Sequence, residues 1–113
     1  MEVRESEAVV RFSPETKTVS FSGALRLANV KAYESVGKLL SEAAAQVDVL
    51  TLDFKELKFL NSSGITALSL FVVASRKAGR PKLRLLGAKA NAWQQKSLAN
   101  FQLLWREMTL TIE

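Results

Sequence analysis

Apolar residues recur with two different periods along this chain, and the switches between them divide it into elements. "AVVRF" (8–12) and "KTVSFSG" (17–23) read as strands, joined by Ser13-Pro14-Glu15-Thr16 with proline where a tight turn favours it. They predict an N-terminal β-hairpin. The loop "LRLAN" leads to Asn29, a good helix N-cap. Beyond it Val30, Tyr33, Val36, Leu40, Ala43 and Val47 recur every three or four residues and predict an amphipathic helix. "DVLTLDF" (48–54) is β-branched and apolar enough for a central strand. A second helix follows, with Ile65, Leu68, Phe71 and Val72 on one face. Leu70 and Val73 fill in beside them, so this helix is expected to be broadly buried. "AGRP" (78–81) stops it, with Gly79 as C′ residue and Pro81 beyond. "PKLRLLG" (81–87) predicts an inner strand, "NAWQQKSLANFQLLW" (91–105) a helix, and "MTLTIE" (108–113) an edge strand.

The predicted order is β-β-α-β-α-β-α-β. It implies an α/β fold, one domain over residues 1–113, with an N-terminal hairpin and a mixed, largely parallel sheet covered by helices. If the second strand also runs parallel, three loops (24–29, 57–62 and 87–90) converge at the carboxyl ends of the strands, where sites usually form. The middle one carries "NSSG", residues 61–64.

Composition narrows the chemistry. With 113 residues, 48% apolar and 24% charged, the chain suits one globular domain. There is no cysteine and no histidine, so disulfides, thiolate chemistry, imidazole bases and the usual zinc ligands are all excluded. No enzymatic activity, cofactor or metal is expected. The short apolar runs allow no membrane span, and "MEVRESEAVV" lacks the basic-then-apolar order of a signal peptide, so a cytoplasmic location is expected.

The net charge of +5 is unevenly placed: residues 1–56 carry seven Lys+Arg against nine Asp+Glu, residues 57–113 nine against two. "RKAGRPKLR" (76–84) raises nucleic acid as a partner. Arg76 and Lys77 instead suit a helix C-terminus, Lys82 and Arg84 alternate with leucines as on a strand, and no aromatic residue is interleaved for base stacking. Nucleic acid is not the expected partner.

At "NSSG", Asn61 or Ser62 can cap the helix that follows, and Gly64 permits close approach to the backbone. A serine at a helix N-terminus is also hospitable to a phosphate, because free N–H groups and the positive dipole end stabilise an anion. Phosphorylation adds about −1.5 to −2 charge at pH 7 and leaves such a helix standing. A hydrolase would need a base. No Gly-x-Ser-x-Gly elbow exists, and neither Lys55 nor Lys58 lies in a motif that places it against Ser62.

"LTLDFKELKFLNSSGITAL" resembles the core signature of STAS domains, the bacterial anti-sigma factor antagonist family, with Asp53, Phe59, Ser62, Ser63, Gly64, Ile65 and Leu68 in register. The hairpin, "GALRL" and the α/β order resemble that family too. The match is specific over residues 50–70 and loose beyond residue 88. The resemblance implies a non-enzymatic partner switch in signal transduction or transcription regulation. In such antagonists a partner serine kinase phosphorylates the serine that follows the motif's Asp, here Ser62, with Ser63 the second choice. The unphosphorylated form binds that kinase, often also an anti-sigma factor, and a PP2C-type phosphatase restores it. Asn29, Asn61, Ser62, Ser63 and Gly64 are then the expected partner-binding residues. Other STAS domains act without phosphorylation, as constitutive subunits of transporter or signalling assemblies, and an anion- or nucleotide-binding module at the helix terminus is a further alternative. This chain departs from the pattern at Asn61, where the family has Asp: the cap survives and the charge does not.

Overall fold

The computed structural model describes residues 1–5 and 7–113. It contains six strands, β1 (Glu2–Glu5), β2 (Ala8–Ser13), β3 (Thr18–Leu25), β4 (Val49–Leu60), β5 (Lys82–Gly87) and β6 (Thr109–Ile112). Three helices, α1 (Glu34–Ala44), α2 (Ser62–Ala78) and α3 (Ala92–Leu104), lie between the parallel strands. The strands form one sheet in chain order; β1–β2 and β2–β3 pair antiparallel, and every later pair is parallel. The α/β expectation and the parallel direction of β3 are therefore met. The turn before β3 carries Lys17 at φ 54°, in the left-handed region.

Because successive crossovers step the same way along the sheet, right-handed connections place all three helices on one face. Burial records this. Along β4, Leu50, Leu52 and Phe54 point into the core, while Thr51, Asp53 and Lys55 alternate outward and stay partly exposed. Parallel strands covered on both faces read as nearly continuous apolar runs; these alternate because only one face is covered. Phe21 and Phe54 stack at the centre of the covered face, ring centroids 4.6 Å apart.

Four features differ from the sequence reading. β1 is an additional strand: "EVRE" offers a single apolar residue, and only pairing with β2 makes it a strand. The first helix begins later than Val30. Asn29 caps a 3-10 turn over Val30–Tyr33, its Oδ1 accepting from Ala32 N at 2.9 Å, and α1 starts at Glu34. β4 runs to Leu60 rather than stopping at Phe54. It pairs with β3 along its whole distal part, while β5 leaves it after Asp53. Finally, α2 is not broadly buried. Leu68 and Val72 are, but Leu70 is 60% exposed, because its neighbours in the helix layer leave a groove beside it.

β4's extension creates a problem of hydrogen bonding. Beyond Asp53 the carbonyls that face the β5 side have no strand to pair with, and buried carbonyls need donors. The first turn of α3 supplies them. Asn91 Nδ2 donates to Lys55 O (2.9 Å), Trp93 Nε1 to Leu57 O (3.1 Å), and Gln94 Nε2 to Phe54 O (2.7 Å) and Leu57 O (2.9 Å). Gln94 Oε1 also accepts from Ala88 N at 2.7 Å, and the side chain is completely buried. Helix α3 thus carries the polar clamp that holds the strand leading into NSSG.

Candidate functional site

β4 delivers the chain to Asn61 in an extended conformation (φ −79°, ψ 174°), from which α2 begins at Ser62. Asn61 is the cap: its Oδ1 accepts from Gly64 N at 3.0 Å. The same oxygen accepts from the Tyr33 hydroxyl at 2.6 Å, and its Nδ2 donates to Leu27 O at 2.8 Å. Its backbone N–H donates to Leu25 O at 3.1 Å. Tyr33 OH in turn accepts from Leu27 N at 3.3 Å, so the phenol proton must point at Asn61. Burial pushes the Tyr33 phenol above its ordinary pKa, partly offset by the Leu27 N–H, and keeps it a neutral donor at physiological pH. The network joins the loop 24–29, the 3-10 turn and the start of α2 through one amide.

Gly64 is fitted to this network. A Cβ there would lie 2.4 Å from Leu60 Cδ1 and 2.8 Å from Tyr33 OH. Leu60 can swing away, but Tyr33 is held by its hydrogen bonds. Gly64→Ala is therefore expected to cost about 1–2 kcal/mol despite alanine's better helix propensity, read as a lowered midpoint in urea unfolding. An unchanged midpoint would contradict the close packing of Tyr33 on α2.

The sequence-predicted residues separate into two groups here. Asn61 and Gly64 build the site from within: Gly64 is buried and Asn61 is half-buried with both side-chain ends engaged. Ser62 is exposed and Ser63 half-buried, on the first turn of α2, which carries no acidic residue. Since Asn61 supplies the cap, the Ser62 hydroxyl is not needed to begin the helix. Asn29 is exposed on the neighbouring loop with its Oδ1 engaged in capping.

Of the three converging loops, two meet at the site. The third, 87–90, lies farther back, beside residues 54–57 of β4, because β5 ends before β4 does. Trp93 is half-buried with its indole N–H engaged, and Trp105 is buried. Lys55 does not meet Ser62 either, since its ammonium pairs with Glu113 (3.4 Å) and Asp53 (3.9 Å) on the open face of the sheet. Among the described residues, no cluster of three His, Cys, Asp or Glu could hold a metal. No helix of the described residues is long and apolar enough to cross a membrane.

Sequence reading missed two contributors. Tyr33 sits on the apolar row of the first helix and reads as core; its hydroxyl's partner is far away in sequence. Phe59 is 40% exposed near the end of β4, with the Arg26 guanidinium 4.9 Å from its ring centroid. Arg26, just past the end of β3, and Phe59, near the end of β4, form an aromatic–cationic surface.

Known protein-family models give no match to this chain, and neither do curated protein sequences. Solved structures do. The chain is similar to one in the crystal structure of the diguanylate cyclase SiaD with its activator SiaC from Pseudomonas aeruginosa, with a TM-score of 0.72 and 17% identity. That match covers 100% of this chain and 99% of the other. It is also similar to SiaC of Pseudomonas aeruginosa (TM-score 0.65, 18% identity, 99% and 93% covered) and to apo-SiaC from the same organism (0.65, 16%, 100% and 97%). At these identities the likeness establishes a shared α/β fold along the whole chain.

Proposed function

We propose that this chain is a non-enzymatic, protein-binding regulator of the STAS type, whose choice of partner is set by phosphorylation of Ser62. The observation that carries the reading is the division of labour at the start of α2. Asn61 does the capping, and Ser62 presents an exposed hydroxyl at the positive end of a 17-residue helix. A phosphate there adds charge to a surface without disturbing the bonds that hold the fold. Asn61 assists: an Asp about 6 Å from the phosphate would repel it by roughly 1 kcal/mol.

The writer and eraser of this mark are a serine kinase and a PP2C-type phosphatase, as the STAS resemblance implies. The target of the unphosphorylated form is a protein: an anti-sigma factor by that resemblance, or a signalling enzyme by analogy with SiaC, an activator of a diguanylate cyclase. Asn29, Ser62, Ser63 and the Arg26–Phe59 pair form the contact surface, with Asn61 and Gly64 shaping it from beneath.

The test compares Ser62→Ala with Ser62→Asp. Both are expected to melt within about 0.5 kcal/mol of the parent chain, because the cap is elsewhere. Affinity for the kinase or target, measured by titration calorimetry, should differ between them by at least about tenfold, or 1.4 kcal/mol. Equal affinities would remove the switch from Ser62.

A further inference from the structure

Gly37 lies in the middle of α1, where glycine is the least favourable residue short of proline. The other four glycines have a reason within the fold. Gly64 and Gly87 are crowded by side chains, and Gly23 and Gly79 take positive φ. Gly37 has neither reason: a Cβ built there meets nothing within 4 Å. The open space above it is a groove of about 520 Å³ between α1 and α2, walled by Ser41, Ala67, Phe71 and Ala74. Leu70, 60% exposed, stands on its rim. One surface therefore carries both an unfilled apolar hole and an exposed leucine.

We propose that this surface binds a second copy of the same chain about a twofold axis, Leu70 of each copy entering the groove above Gly37 of the other. A twofold interface must be complementary to itself, and the charges here are. Glu34 and Lys38 flank Gly37 on the exposed side of α1, and among the described residues neither closes an ion pair within its own chain. In the twofold arrangement Glu34 of each copy meets Lys38 of the other. A partner of a single charge sign would leave one of the two facing like charge, and a small apolar ligand would leave both unused. Glycine at position 37 then serves the close approach of the second copy. The proposal does not depend on Ser62.

Sedimentation velocity of the whole chain, from about 5 to 500 µM, tests it. The parent chain should show a reversible monomer–dimer equilibrium within that range. Gly37→Leu fills the groove and improves helix propensity, so it should remain folded with a raised melting temperature and dimerise at least about tenfold more weakly. Leu70→Ser should weaken the dimer similarly. Glu34→Lys and Lys38→Glu should each weaken it, and the two together should restore it. A chain that stays monomeric throughout, a dimer untouched by Gly37→Leu and Leu70→Ser, or a double charge reversal that fails to rescue would each overturn the proposal.

Discussion

Gln94→Glu is expected to cost about 3–5 kcal/mol, the penalty for burying an unpaired charge, against the roughly 5–15 kcal/mol that holds a domain together. The two side chains have nearly the same shape, so the loss is electrostatic. Gln94 is completely buried and donates to the carbonyls of Phe54 and Leu57. A carboxylate donates nothing and would direct negative charge at both oxygens. Protonation lets one oxygen donate again. The folded-state pKa of the introduced carboxyl therefore lies above its unfolded value of about 4.3, and the deficit shrinks as pH falls through the folded pKa towards that value. Urea unfolding of both proteins at neutral and acid pH measures this. A variant within about 0.5 kcal/mol of the parent at neutral pH would show that α3 does not clamp β4's extension.

At Asn61, substitutions should rank by how many of its bonds they keep. Asn61→Ala removes the cap and leaves Leu27 O without its side-chain donor and the Tyr33 hydroxyl without its acceptor, an expected loss of about 2–4 kcal/mol. Asn61→Asp keeps the cap and the Tyr33 bond and gains from the helix dipole. It also sets a carboxylate oxygen against Leu27 O, where Nδ2 now donates at 2.8 Å, for a net loss of about 1–2 kcal/mol. Asparagine at 61 is thus a requirement of this chain's own 24–29 loop, beyond its effect on charge. An Asp variant as stable as the parent would contradict the bond to Leu27.

The element order from β2 onward, a cap at Asn61 or Ser62 and the α2 terminator at Gly79 were legible because each rests on local chemistry: alternation, a short polar side chain before an apolar run, a left-handed C-cap. What was not legible depends on partners distant in sequence. "EVRE" becomes a strand only because β2 pairs with it, and β4 passes Phe54 only because β3 continues beside it. Gln94 looks like any polar helical residue until β5 ends early and leaves carbonyls to satisfy. Leu70 reads as core because periodicity cannot show that a groove between α1 and α2 leaves it exposed on the rim. Only the family resemblance ranks Ser62 ahead of Ser63 in sequence; the helix start makes the first exposed and the second half-buried.

Intact-mass and fragment-ion spectrometry, on this chain after incubation with its cognate serine kinase and ATP, tests the central claim most directly. The expected product carries one phosphoryl group, on Ser62, and unfolds in urea at nearly the same midpoint as the unmodified chain. An unmodified chain, or a phosphate found only on another residue, would contradict it.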